Sequence, residues 1–222
     1  MDCLEGMRKL PDSSIDLIIT SPPYNLGKTH HTGNKHFKSY EEYEDNMPEE
    51  LYQRWQAEVL NECYRILKPD GSMWYNHKNR IREGKQITPY EWLLKTDFII
   101  KQEIVWFNRS QNFDKCRFYP MTERLYWLTK SPKTKMFNAI NHHDVFDTKD
   151  WKPEGTKGEF KRAFPVKMVD DIISCFENAE VILDPFMGSG TVAVSAINKG
   201  KKYIGFEISR DAHALAEKRT SA

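Results

Sequence analysis

Two segments of this 222-residue chain gather residue types that can do chemistry. The first, Ile19-Thr20-Ser21-Pro22-Pro23-Tyr24-Asn25, closes a short apolar run. Consecutive prolines fix its backbone and leave carbonyls without local N–H partners, while Ser21 adds a hydroxyl and Tyr24 an aromatic face. The second runs Val181-Ile182-Leu183-Asp184-Pro185-Phe186-Met187-Gly188-Ser189-Gly190-Thr191, a strand, a glycine-rich turn and a helix start in succession. Glycines there let the backbone approach a ligand closely, and the helix N-terminus offers free N–H groups to a carboxylate or phosphate. The next apolar run, Tyr203-Ile204-Gly205-Phe206, ends in Glu207, where nucleotide-binding α/β sites commonly hold ribose hydroxyls. Taken singly, S-P-P-Y reads as a rigid loop and G-S-G as a turn of many nucleotide sites. Their pairing on one chain is the specific signal.

Elements must position these residues. Ile15 to Thr20 and Val181 to Leu183 are near-continuous apolar runs stopped by proline, the pattern of strands buried in a parallel sheet. Further strand-like runs are Ser72 to Tyr75, Ile99 to Phe107, Arg124 to Leu128 and Tyr203 to Phe206. Helical stretches lie between them at Leu51 to Leu67, Met168 to Glu177, Thr191 to Lys199 and Arg210 to Arg219. This alternation predicts an α/β fold with a doubly wound, mostly parallel sheet, spanning residues 1–222 as a single domain. Both chemical segments then fall at carboxyl ends of strands, where such sheets bind ligands. Asn76 and His77, just past a strand end, are placed to line the same cleft. Lys68-Pro69-Asp70-Gly71 reads as a turn. Trp74, Tyr75, Trp92, Trp106, Phe107, Tyr126 and Trp127 read as core. Two polar stretches, 27–50 and 131–162, do not fit the alternation and are the candidate substrate-contacting loops.

Composition narrows the class. A 39% hydrophobic content supports one full core. With 33 Lys+Arg against 32 Asp+Glu, affinity for nucleic acid must come from local patches. The Lys28 to Lys38 cluster, with Arg109, Lys115 and Arg117, supplies candidates. Four separated cysteines and histidine pairs without ligand spacing argue against disulfides and a metal site. No apolar run is long enough to span a membrane, so a soluble, cytoplasmic protein is expected.

D-P-F-M-G-S-G-T, together with S-P-P-Y, resembles the motifs of the β group of amino-methylating (N4-cytosine/N6-adenine) DNA methyltransferases, and the resemblance extends across most of the chain. It implies a Rossmann-like class I methyltransferase fold, circularly permuted so that the catalytic motif precedes the cofactor motif. The implied cofactor is S-adenosylmethionine. Asp184, Phe186, Gly188, Ser189, Gly190 and Thr191 would shape its pocket, and Glu207 would bind its ribose. Phe164, Pro165 and Lys167 resemble the segment that holds the methionine moiety, and Asp2, in Asp2-Cys3-Leu4, would lie near the adenine. An exocyclic base amine is a poor nucleophile because its lone pair is conjugated into the ring. Ser21 and the Pro22 carbonyl, in a loop stiffened by Pro23, would accept its N–H bonds, and Tyr24 would stack on a base turned out of the duplex. Glu123 resembles a position near that base and is not read as catalytic. The implied partner is double-stranded DNA, with a homodimer possible. S-P-P-Y accompanies mainly N4-cytosine transfer, so that base is expected ahead of N6-adenine. A catalytically silent subunit, or a small-molecule or RNA methyltransferase, stays open.

Overall fold

A computed structural model describes residues 1–27, 45–109, 115–138, 142–149 and 164–221. In chain order the elements are α1 (Cys3–Met7), β1 (Ile15–Thr20), α2 (Glu49–Ile66), β2 (Leu67–His77), β3 (Arg80–Arg82), β4 (Lys85–Ile87), α3 (Tyr90–Leu93), β5 (Ile99–Phe107), β6 (Thr122–Thr129), β7 (Val145–Asp147), α4 (Val166–Ser174), β8 (Val181–Asp184), α5 (Thr191–Asn198), β9 (Lys202–Gly205) and α6 (Arg210–Thr220). Period-two alternation sorts the strand residues between two cores. Leu17, Ile19, Trp74, Leu125, Trp127 and Ile182 face α4 and α5. Ile18, Met73, Tyr75, Tyr126, Leu128 and Leu183 face α1, α2 and α3. Helices thus cover both faces, as a doubly wound sheet requires.

The seven main strands are ordered β7-β5-β6-β2-β1-β8-β9. β1 is parallel to β2 and β8, and β8 to β9, whereas β6 runs antiparallel to β2 and β5. From β1 the chain crosses outward to β2, and from β8 outward to β9, so the winding reverses between β1 and β8. The crevice beyond their carboxyl ends is the switch point where open α/β sheets bind ligands. Because β6 is reversed, its first residues, Thr122 and Glu123, reach that same end.

Every strand and helix expected from the pattern is present, with ends displaced by a few residues. Lys68 to Gly71 is a bulge: Ile15 faces Leu67, but Leu17 already faces Ser72. Six of the seven aromatic core residues are buried, and Phe107 is half-buried. The two polar stretches need correction where they are described. Glu49 and Glu50 begin α2, and Val145 to Asp147 form an edge strand against β5; residues 28–44, 139–141 and 150–162 of those stretches lie outside the described residues. Also missed were α1, the β3–β4 hairpin and α3, all too short for a periodic signal. No helix of the described residues is long and apolar enough to cross a membrane.

Candidate active site

β1 delivers Ser21 to Tyr24 to the crevice, and side chains from distant elements converge on them. The Tyr24 hydroxyl lies 2.8 Å from Ser21 Oγ and donates to Glu123 Oε2 at 2.7 Å. Asn76, the penultimate residue of β2, directs its Nδ2 at Ser21 Oγ (3.3 Å), Glu123 Oε2 (2.9 Å) and the Tyr24 hydroxyl. Asn108 Nδ2 reaches the other Glu123 oxygen at 3.0 Å. A carboxylate can only accept, which fixes the orientation of both amides. It also leaves Asn76 Oδ1 buried without a partner, an acceptor of the kind that marks a ligand position. Tyr24 is half-buried: its hydroxyl is enclosed, and its ring lies 4.7 Å from the His77 ring. Burial, then the charge of Glu123, push its phenol well above the ordinary range.

A second network fixes the loop from below. Trp92 Nε1 donates to the Tyr75 hydroxyl (3.0 Å), Tyr75 to Gln56 Oε1 (2.8 Å), Gln56 Nε2 to the Tyr52 hydroxyl (3.0 Å), and Tyr52 to the Pro23 carbonyl (2.7 Å). The Tyr52 hydroxyl also sits 2.7 Å from His77 Nε2. Burial, reinforced by Arg80, lowers the His77 pKa to about 3, so the ring is neutral. Its Nδ1 then donates to the Lys78 carbonyl at 2.8 Å, which leaves Nε2 an acceptor, so the single Tyr52 proton is shared between Nε2 and the Pro23 carbonyl. Arg80 is itself buried, paired through both terminal nitrogens with Glu49 at 2.8 and 2.7 Å and lying over the Tyr52 ring. The loop then turns at Asn25, whose φ of 55° suits asparagine. Asn25 exchanges bonds with Met47, while the Asp45 carboxylate accepts from the Asn25 and Leu26 N–H groups and Arg82 donates to the Asn25 carbonyl.

One strand away, β8 presents the second motif. Thr20 Oγ1 donates to Asp184 Oδ1 at 2.7 Å, which joins the two motifs directly. Burial raises the Asp184 pKa to about 7 against the opposing bonds from Thr20 and the Phe186 N–H. Gly188 and Gly190 have φ of 51° and 78°. At Gly190 a Cβ would stand 2.8 Å from the Ala216 Cβ, so this turn admits only glycine. Glu207, beyond β9, accepts the Gly188 N–H at 2.8 Å and the Ser209 N–H at 2.8 Å. The turn opens α5, whose first N–H groups have no intrahelical acceptors. A backbone cradle that only glycine permits, a helix N-terminus and a strand-end acid fit a nucleoside bearing a carboxylate.

The remaining nominated residues are placed less centrally. Asp2 caps α1 by accepting from the Leu4 and Glu5 N–H groups. Phe186 packs edge-on against Trp55 of α2. Pro165 caps α4, Phe164 is buried beside Trp106, and Lys167 is exposed and pairs with Asp171 at 3.1 Å. Ser189 Oγ and Thr191 Oγ1 are met by Arg219 of α6 at 3.0 and 3.3 Å. Arg109 pairs with Asp147 at the surface; Lys115 and Arg117 are exposed, and the Lys28 to Lys38 cluster lies outside the described residues. No group of metal-ligating side chains occurs among the described residues. Sequence reasoning missed Tyr52, Asn108, Arg82, Asp45 and Arg219, which carry no local motif.

The DNA methylase family profile matches residues 15–218. The chain belongs to the DNA methylase family. Among curated DNA methylases it is 26% identical over 245 residues to the type II methyltransferase M.BglII of Bacillus subtilis, covering 95% of this chain and 64% of that protein. This chain therefore spans slightly under two thirds of that relative. Among solved structures, PvuII DNA methyltransferase (cytosine-N4-specific) superposes with a TM-score of 0.76 at 20% identity, over 99% of this chain and 84% of that one. The complex of M1.HpyAVI with S-adenosylmethionine gives 0.65 at 19% identity, over 100% and 97%. Both likenesses establish the Rossmann-like methyltransferase fold. S-P-P-Y precedes D-P-F-M-G-S-G-T although their strands are neighbours, the permuted order expected of the chain.

Proposed function

We propose that this DNA methylase transfers a methyl group from S-adenosylmethionine to the exocyclic amine of a base turned out of double-stranded DNA, N4 of cytosine ahead of N6 of adenine. The observation that carries the reading is the direct tie between the motifs, Thr20 to Asp184 at 2.7 Å, which sets an amine-accepting loop beside a cofactor cradle. In this reading Asp184, Phe186, Gly188, Ser189, Gly190 and Thr191 form the cradle, Glu207 takes the ribose, Asp2 lies toward the adenine, and Phe164, Pro165 and Lys167 border the methionine end. When bound, the cofactor supplies an electrophilic methyl on sulfur. Ser21 Oγ and a proline carbonyl accept the two N–H bonds of the amine and draw its nitrogen toward tetrahedral geometry. We assign that acceptor to the Pro22 carbonyl; the Pro23 carbonyl is engaged by Tyr52. The part of the Tyr24 ring left uncovered stacks on the base.

The preference for cytosine rests on the serine of S-P-P-Y. Methylating mixed-sequence duplex DNA with purified protein, digesting it to nucleosides and weighing the products tests the reading. N4-methyldeoxycytidine is expected. N6-methyldeoxyadenosine would reassign the base, and no methylated nucleoside with cofactor bound would remove DNA amine transfer.

A further inference from the structure

Methylating an amine creates a proton that must leave. We infer that Ser21, Tyr24 and Glu123 form a relay that carries this proton to the Glu123 carboxylate, an inference resting on the amine-transfer reading above. The Tyr24 hydroxyl stands between the other two, 2.8 Å from Ser21 Oγ and 2.7 Å from Glu123 Oε2. An ionised carboxylate has no proton to give. The single proton of Tyr24 therefore goes to Glu123, and Ser21 is the donor in the contact between the two hydroxyls. Ser21 thus keeps lone-pair density for the incoming N–H. Asn76 and Asn108 each hold one carboxylate oxygen, at 2.9 and 3.0 Å, and keep Oε2 on Tyr24.

The balance of the step shows why an outlet is needed. As the amine lone pair forms the C–N bond, the C–S bond breaks with its electron pair going to sulfur. The nitrogen is left positive, with one proton too many. A serine hydroxyl cannot store that proton, but it can pass one on. The N–H proton moves to Ser21 Oγ as the Ser21 proton moves to the Tyr24 oxygen and the Tyr24 proton to Glu123 Oε2. Each hydroxyl gains one proton and loses one, the carboxylate ends protonated, and the amine ends neutral. Before the proton moves, the negative charge of Glu123 already favours the positive charge growing on nitrogen.

The groups packed around Glu123 leave that charge available. From β6, Arg124 donates to the Glu123 carbonyl at 3.1 Å but pairs with Glu103 of β5 at 2.9 Å. From β2, His77 is neutral, and Arg80 beyond it is paired with Glu49. Arg109, past β5, pairs with Asp147.

The test follows the single-turnover methylation of mixed-sequence duplex DNA against pH for the wild type, Glu123→Gln, Tyr24→Phe and the double variant, with S-adenosylmethionine binding measured by calorimetry. A second readout is the carbon NMR titration of the Glu123 carboxyl in the cofactor-free protein, assigned by its loss in Glu123→Gln. Each single variant should bind the cofactor normally, slow transfer about a hundredfold and lose the acid limb of the profile. The double variant should be no slower than the slower single, because both break one chain. In the wild type the acid limb should coincide with the Glu123 titration. Additive losses, an acid limb that survives in Tyr24→Phe, or a limb that does not follow the Glu123 resonance would overturn the relay alone. Tyr24→Phe, which keeps the ring and the carboxylate, decides the matter if Glu123→Gln does not fold. Absence of any transfer to DNA by the wild type would instead remove the underlying reading, and the relay with it.

Discussion

The loops that meet between β1 and β8 are held in opposite ways. The turn after β8 is shaped largely by backbone. Gly190 N–H bonds the Met187 carbonyl at 2.8 Å, Met187 N–H bonds the Phe206 carbonyl at 2.9 Å, and the glycines take left-handed conformations. The loop after β1 is shaped by side chains arriving from elsewhere: Tyr52 of α2, Asn76 of β2, Arg82 of β3 and Glu123 of β6. A ligand cradle can be written locally because it needs conformation and free N–H groups. A site that must polarise an amine needs oriented donors and acceptors, and those come from many strands. Damage to the two loops should differ in kind, binding on one side and rate on the other.

The largest effect is expected at Gly190. With φ of 78° and a Cβ position 2.8 Å from Ala216, Gly190→Asp must displace α6 or abandon the turn, and it brings a negative charge to the helix N-terminus that, in the proposed reading, faces the cofactor. S-adenosylmethionine affinity should fall at least about a hundredfold, on the order of 3 kcal/mol. Calorimetry measures it, with circular dichroism checking the fold. On the other side, Ser21→Ala should leave that affinity unchanged and slow methyl transfer about a hundredfold. If Ser21→Ala weakened cofactor binding as much as it slowed transfer, the division of labour between the loops would be wrong.

That contrast explains what was legible. Strands buried on both faces announce themselves as apolar runs, so β1 and β8 could be read directly, and the turn of D-P-F-M-G-S-G-T could be read because strand end, glycines and helix start are consecutive residues. Glu207 followed from the length of one helix and one strand. Asn76 could be placed only as lining the cleft, because its partners depend on which strands become neighbours. Glu123 reaches the site solely because β6 is reversed, and nothing in Met121-Thr122-Glu123-Arg124 encodes that reversal. Tyr52 looks like any apolar position of an amphipathic helix. Its hydroxyl matters only once Pro23 is packed above it.

Each half also buries one group against its usual charge. Burial holds Asp184 at about 7 and His77, with help from Arg80, at about 3, against about 3.9 and about 6.5 in an unfolded chain. Asp184 is raised on folding, so its stabilising contribution is full below about pH 4 and is lost as pH rises through about 7. His77 is depressed, so its contribution is full above about pH 6.5 and is lost as pH falls toward about 3. The two oppose each other across one window, each by a few kcal/mol. Urea denaturation between about pH 4 and pH 7 should therefore show stability rising more steeply with pH in Asp184→Asn than in the wild type. A variant curve parallel to the wild type would mean that Asp184 is ionised throughout.

The smallest effect sharpens the comparison most, because it asks whether the cofactor turn is purely a backbone construction. Arg219, near the end of α6, directs one terminal nitrogen at the Ser189 carbonyl (2.6 Å), Ser189 Oγ (3.0 Å) and Thr191 Oγ1 (3.3 Å). It thereby holds the two residues flanking Gly190 in place. It is partly exposed, and only one nitrogen makes these contacts, so each bond is worth less than a fully buried charged one. Arg219→Ala should raise the S-adenosylmethionine dissociation constant about three- to tenfold, roughly 1 kcal/mol, while the single-turnover rate at saturating cofactor stays at the wild-type value. Arg219→Lys, which keeps a cation but not the planar fork, should fall between the two. An unchanged dissociation constant in Arg219→Ala would show that the glycine backbone alone sets the cradle. A drop in the saturated rate would show that the turn and the catalytic loop are coupled through Thr20 and Asp184 more tightly than their separate construction implies.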